Sequence, residues 1–106
     1  MALYFMFIHA GLLVSVLTVG VPQYEMCMER CGGDPPEGNI AGMRRVQVCR
    51  DRCNRQERTR CLAAHQNNER EKRKCWEDAL NRCIDRCGNN QRMIQLCHVL
   101  YAVPAQ

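Results

Sequence analysis

Nine cysteines are the residues of this 106-residue chain whose type and spacing could do chemistry. A thiolate can attack an electrophile or bind a metal, and two thiols can be oxidised to a disulfide. From Cys49 to Cys87 the spacings are 4, 8, 14, 8 and 4 residues, a series that is symmetric about residue 68. Antiparallel neighbours have position numbers that add up to a constant, so the symmetry predicts three disulfides across a hairpin. These are Cys49–Cys87, Cys53–Cys83 and Cys61–Cys75.

Cysteines four residues apart indicate that the paired segments are helices. Residues i and i+4 lie above one another on a helix face, about 6 Å apart along the axis, so two such pairs can form two parallel disulfides. A step of eight residues rotates about 80° around an ideal helix. Cys61–Cys75 therefore needs helices that wrap or loosen, unless those two cysteines have other partners, because sequence alone does not fix connectivity.

Three cysteines remain: Cys27, Cys31 and Cys97. Cys27 and Cys31 share one helix face, so one of them can join the first helix to the last through Cys97. The other is left over, and an odd cysteine in a secreted protein indicates an intermolecular disulfide or a free thiol. We predict a disulfide-linked homodimer. The alternatives are a free thiol, a small-thiol adduct and a different partner chain.

Residues 1–20 are predicted to be a signal peptide. They contain no Asp, Glu, Lys or Arg and are mostly apolar, with Thr18 and Gly20 before the expected cut. A secretory signal needs an apolar region of roughly 7–15 residues followed by small residues. A membrane anchor is the alternative, but polar and small residues interrupt the run of about 20 that it would need. Residues 21–106 then form one secreted, cysteine-rich domain that matures in an oxidising compartment.

Capping and turn residues divide the mature region into four predicted helices, and no strand pattern appears. Gly32 ends the first helix, and Asn68 with Glu71 begins the third. The predicted ranges are 23–31, about 41–65, a third helix that runs to Cys87, and 91 to about 102 after an Asn90 cap. The predicted fold is all-α: a small disulfide-stapled helical bundle built on an antiparallel helical hairpin.

The basic residues suggest an acidic partner. The net charge is +4, and seven arginines lie between Arg44 and Arg60. Such a surface suits an acidic protein face or anionic lipid, although a solvated helix face has the same composition. The candidate contact residues are Arg50, Arg55, Arg58, Arg60, Lys72, Arg73 and Lys74.

Other chemistries find little support in the sequence. Zinc also binds closely spaced cysteines, but the secretory leader favours disulfides. A Cys–His nucleophile would need a free thiolate near His65 or His98, and no Gly-rich phosphate loop occurs. We predict no catalytic residue, metal, cofactor, nucleic acid or small-molecule substrate.

Several apolar residues are predicted to lie in the core. Trp76 follows a cysteine on a helix, and we interpret it as a core residue rather than as a contact anchor. The last helix carries apolar residues at helical spacing, which predicts a single packing face. Its members are Met93, Ile94, Leu96, Val99, Leu100 and Val103.

Part of the chain resembles a family of venom proteins. Cys61-Leu62, followed after a polar stretch by Cys75-Trp76-Glu77-Asp78-Ala79 and then Cys83, resembles the con-ikot-ikot family of cone-snail toxins. Cys53, eight residues before Cys61, agrees with the same spacing, and the likeness covers roughly residues 49–87.

The resemblance implies a helical, disulfide-linked dimer from a venom gland. It also implies binding to the extracellular side of postsynaptic AMPA-type glutamate receptors, with an open, non-desensitised state stabilised. Two other functions suit a stapled helical hairpin. One is a serine-protease inhibitor that presents Arg60 or Arg70 to a trypsin-like pocket, and the other is a membrane-active, saposin-like protein.

Overall fold

A computed structural model describes residues 22–105, so the predicted signal peptide lies outside the described residues. Four α-helices follow one another: α1 Gln23–Cys31, α2 Ile40–Ala64, α3 Glu69–Asp85 and α4 Gln91–Leu100. Each helix packs against the next one along the chain, and no strand occurs in this range. The all-α prediction, with an antiparallel α2–α3 hairpin, is confirmed. None of the four helices is long and apolar enough to cross a membrane.

Asparagine caps begin three of the four helices. In each, the side-chain oxygen accepts a hydrogen bond from the backbone N–H three residues on, which satisfies a donor at the helix start. The caps at Asn68 and Asn90 were predicted from the sequence. The pairs are Asn39 with Gly42 at 2.9 Å, Asn68 with Glu71 at 3.1 Å, and Asn90 with Met93 at 3.2 Å.

The helix ends are also close to the predicted ones. Gly32 has a φ of 81°, which favours glycine, and its N–H donates to the Glu29 carbonyl at 3.1 Å. The third helix ends at Asp85, before the predicted Cys87, and a turn with Gly88 at φ 57° follows it. The fourth helix ends at Leu100, two residues before the predicted end.

The disulfides pair differently from the sequence prediction. The Cys61–Cys75 bond is present as predicted. The predicted bonds Cys49–Cys87 and Cys53–Cys83 are wrong, because Cys49 and Cys53 join α1 instead of α3. The other three observed bonds are Cys27–Cys53, Cys31–Cys49 and Cys83–Cys97.

Helix geometry explains the different pairing. Residues 49 and 53 lie on a face of α2 that is turned roughly 80–120° away from Cys61. One face of α2 therefore packs on α1, and a neighbouring face packs on α3. The position numbers within Cys27–Cys53 and Cys31–Cys49 also add up to one constant, so α1 and α2 form an antiparallel hairpin of their own.

Cys87 is the cysteine left without a disulfide. We predicted a bond between Cys97 and either Cys27 or Cys31, with the other of those two left over. That prediction is wrong, because all three are bonded and Cys97 pairs with Cys83 across the α3–α4 turn.

Disulfide-bonded cysteines make up most of the buried core. Six apolar residues of the described range are buried, and four of them are disulfide-bonded cysteines: Cys53, Cys75, Cys83 and Cys97. Ala79 and Tyr101 complete the set. A short chain buries little apolar surface, so the cross-links supply stability that a larger core would otherwise give.

A buried polar bridge joins α2 to α3. Asn54 is wholly buried, and its Nδ2 donates to the Ala79 carbonyl at 2.9 Å. Its Oδ1 accepts from Arg82 Nε at 2.7 Å. Both functions of the amide are therefore satisfied, which is what allows it to be buried. The bridge fixes the register of the two helices that carry most of the basic side chains.

Candidate functional site

Four of the seven candidate contact residues are paired with carboxylates. Arg50 Nη2 lies 2.9 Å from Asp34 Oδ1, and its side chain is only 17% exposed. The other three pairs lie along single helices and hold each cation against its own helix. They are Arg60 with Glu57 at 2.6 Å, Lys72 with Glu69 at 3.3 Å and Arg73 with Glu77 at 3.4 Å. These side chains therefore do not form one free basic cluster.

The other three candidates differ in their surroundings. Arg58 stacks with its Cζ 4.5 Å from the centroid of the Trp76 ring and 5.7 Å from that of Tyr101. Such a contact ties the guanidinium to the hairpin. Arg55 and Lys74 are exposed, and neither has a carboxylate partner among residues 22–105.

A different set of arginines forms a free basic surface. Arg44, Arg52 and Arg55 are exposed on α2 with Val48 and Thr59, at spacings of 4, 4, 3 and 4 residues along 44–59. This spacing keeps all five on one side of a helix, over a length of about 22 Å. Arg45 flanks the row. We call this surface the arginine face.

The arginine face has no internal counter-charge. None of Arg44, Arg45, Arg52 and Arg55 lies within 4 Å of a carboxylate oxygen in the described part of the chain. Of these four arginines, only Arg55 is among the contact residues predicted from the sequence. The helical spacing was visible in the sequence, but only the structure shows which side of α2 is left open by α1 and α3.

An apolar groove opens at one end of the arginine face. The end of α2, the start of α3 and the segment 104–105 enclose a volume of about 830 Å³. Its apolar walls include Leu62, Ala63, Trp76 and Pro104. Trp76 is half-buried here and lies outside the buried core that we predicted for it. Thr59 lines both this groove and a shallow depression beside Arg52 and Arg55, so the two surfaces are continuous.

The free thiol lies in a second apolar region. Cys87 is half-buried, with its Sγ 3.5 Å from Cys97 Sγ, and it donates to the Cys83 carbonyl at 3.2 Å. Met93, Leu96 and Leu100 line the same small cavity, of about 70 Å³.

The predicted packing face of the last helix is corrected by this arrangement. Leu96, Val99 and Leu100 are 46%, 74% and 51% exposed. The residues of this region that are buried are Cys97 and Tyr101, one helical turn apart. The Cys83–Cys97 disulfide holds that side of the helix against α3, which leaves Leu96, Val99 and Leu100 outside. The other members of the predicted face, Met93, Ile94 and Val103, are half-buried.

Disulfide formation leaves too few free thiols in the oxidised protein for a cysteine metal site. Two groups of three cysteines have sulfurs within 4.8 Å of one another: Cys31 with Cys49 and Cys53, and Cys83 with Cys87 and Cys97. Zinc and other thiophilic metals bind the thiolate. All of these sulfurs except that of Cys87 are in disulfides, so neither group supplies three such ligands.

Comparison with protein-family models, with curated proteins and with solved structures finds no match for this chain.

Proposed function

We propose that this protein is a secreted toxin that binds the acidic extracellular face of a neuronal membrane receptor. The observation that carries the proposal is the arginine face. Four guanidinium groups line one side of α2 without a carboxylate partner in the described range. Aligned, unneutralised charges of one sign steer and orient an oppositely charged partner.

The scaffold supports binding by this face. Two disulfides join α2 to α1, and a third joins it to α3. The helix that carries the arginines is thus held on two sides while its third side is open. A pre-organised surface loses less conformational entropy when it binds, so more of the contact energy contributes to affinity.

The resemblance to con-ikot-ikot toxins suggests which receptor is bound. It implies an AMPA-type glutamate receptor whose desensitisation the protein blocks. Two members of the arginine face, Arg52 and Arg55, lie within the resembling segment, residues 49–87. A ligand that binds the open state more tightly than the desensitised state shifts the population toward the open state.

We further propose that Cys87 joins two copies of the protein. Its thiol is the one left outside the four disulfides, and exposed Leu96 and Leu100 lie beside it. Oxidation of two such thiols by the secretory pathway would form one disulfide and release two protons and two electrons to the oxidant. The aliphatic side chains around it would then be covered by the second copy.

Electrical recording from cells that express AMPA-type receptors tests the proposed function. Added protein should raise the steady current during a sustained glutamate pulse. The double variant Arg52→Gln/Arg55→Gln should lose about ten-fold in potency or more, equivalent to ~1.4 kcal/mol. The matched control Arg30→Gln/Arg92→Gln removes the same charge from exposed positions on α1 and α4.

The control separates a specific surface from net charge. It should retain potency within about two-fold, because surface substitutions away from a contact have small effects. Equal losses in both variants would mean that only net charge matters. No change in the steady current with the unmodified protein would refute the AMPA-type assignment. Circular dichroism should show the same helix content for all variants.

A further inference from the structure

The Trp76 groove has walls whose positions are fixed by a disulfide. Leu62 directly follows Cys61, and Trp76 directly follows Cys75, and these two cysteines are bonded to each other. The α2 wall and the α3 wall are therefore held at a set separation. Arg73 Nη1 donates to the Pro104 carbonyl at 3.0 Å, which holds the third wall in place.

The interior and the rim of the groove differ in chemistry. Inside are the Trp76 indole and the aliphatic surface of Leu62, Ala63 and Pro104. The rim carries Arg70, Lys72 and Arg73 with one carboxylate, Glu69, which pairs with Lys72, so its net charge is positive. Of the three basic groups, Arg70 is exposed without a carboxylate partner among the residues described. An apolar floor with a basic rim fits a group that is apolar at its centre and negatively charged around it.

The groove is large enough to bind a ligand of several residues. Its volume, about 830 Å³, falls within the range of roughly 300–1,000 Å³ that is typical of ligand sites. It can hold one large side chain together with the residues on either side of it. Since Thr59 belongs to both surfaces, a chain that lies along the arginine face reaches the groove without a break.

We infer that the groove binds a short acidic segment of the partner protein, with one large apolar side chain packed against Trp76. This inference rests on the proposed function, because one partner occupies both surfaces. Buried aromatic anchors in such pockets commonly account for much of the binding energy at protein interfaces. The arginine face orients the partner, and the groove supplies the apolar contact that charge alone cannot give.

Trp76 is the only tryptophan of the chain, so its fluorescence reports on the groove. The probe is the capped peptide Asp-Glu-Phe-Asp-Glu, titrated into the purified protein at low salt. Its binding should shift Trp76 emission in a saturable way and should weaken as salt is added. The control peptides carry Ser in place of Phe, or Lys in place of each acidic residue, and should bind at least about five-fold more weakly.

Two neighbouring alanines provide a matched pair of variants. Ala63 lines the groove and Ala64 does not, and both are exposed near the end of α2. Ala63→Phe fills the groove, so we expect loss of the fluorescence response and a fall of about ten-fold or more in potency at the receptor. Ala64→Phe adds the same side chain outside the groove and should leave both within about two-fold.

The outcomes separate the two proposals. If the Ser peptide binds as tightly as the Phe peptide, or if Ala63→Phe and Ala64→Phe behave alike, the groove inference is wrong. The arginine face would still stand if Arg52→Gln/Arg55→Gln lost potency. Conversely, selective binding of the Phe peptide without any receptor response supports the groove and refutes the proposed receptor.

Discussion

Tyr101 shows how a side chain with a polar hydroxyl can be buried in a core that consists mostly of cysteines. Only 1% of the residue is exposed, and its hydroxyl donates to Asp51 Oδ1 at 3.0 Å. The same carboxylate accepts from Arg86 Nη2 at 3.2 Å. The residue that follows α4 is thereby fixed to α2, so one hydrogen-bonded group joins helices that are not neighbours in the chain.

The hydroxyl should make stability depend on alkaline pH. Burial, followed by the Asp51 charge and the hydrogen bond to it, raises the pKa of Tyr101 above its ordinary value of 10.0. The folded state thus retains the proton better than the unfolded state. The resulting stability is fully present below pH ~10 and is lost as pH rises through the folded-state pKa. Urea denaturation at several pH values measures this effect.

Tyr101→Phe provides the comparison for that measurement. It should cost about 1 kcal/mol at neutral pH through the lost hydrogen bond, and it should reduce the loss of stability above pH ~10. Both proteins should carry Cys87→Ser, so that disulfide exchange through this cysteine does not contribute to the measured change. Identical pH profiles for the two proteins would show that Tyr101 does not cause the dependence.

Some residue roles could be predicted from sequence because they depend only on local chemistry. Asn68 and Asn90 cap helices through the backbone three residues on, and that contact needs no tertiary information. Trp76 and Leu96 could not be assigned in the same way. Whether an apolar side chain on a helix is covered depends on which neighbour packs there, and the disulfide map decides that.

At the scale of the helices, the cysteine spacing is compatible with more than one disulfide pairing. Cysteines four residues apart occur at 27/31, 49/53 and 83/87, and any two of these pairs can form parallel bonds between antiparallel helices. In the observed pairing, α2 packs against α1 with one face and against α3 with a neighbouring face. The position of Cys61 is consistent with it, since a step of eight residues turns that side chain away from Cys53.

Tryptic mapping of the oxidised protein should confirm this disulfide map. An arginine separates the two cysteines of every such pair: Arg30, Arg50 with Arg52, and Arg86. Complete cleavage therefore places each cysteine in its own peptide. We expect linked peptides for Cys27–Cys53, Cys31–Cys49, Cys61–Cys75 and Cys83–Cys97, and alkylation of Cys87 where it is a thiol.

The disulfide pairing predicted from the sequence would give different linked peptides. Linked peptides for Cys49–Cys87 or Cys53–Cys83 would show that α1 is not joined to α2 by two bonds, and the open side of α2 would then have to be reassigned. Digestion should be done at the lowest pH that trypsin tolerates, after alkylation of free thiols, because exchange requires a thiolate.

For the whole molecule, we expect the functional unit to be two chains joined through Cys87. Leu96, Val99 and Leu100 are exposed on α4, and two of them, Leu96 and Leu100, line the small cavity beside the half-buried Cys87. The intact mass should be twice that of the mature chain, and reduction should halve it. Cys87→Ser should give a single-chain mass without a reducing agent.

The receptor assay then shows what the dimer contributes. Two linked copies present two arginine faces, and simultaneous binding raises avidity when both faces can reach the same receptor. Cys87→Ser should therefore lose potency, and the loss should be mainly in residence time. A single-chain mass with one free thiol in the unmodified protein would refute the covalent dimer. It would leave the arginine face intact, because the Arg52→Gln/Arg55→Gln test depends on one chain alone.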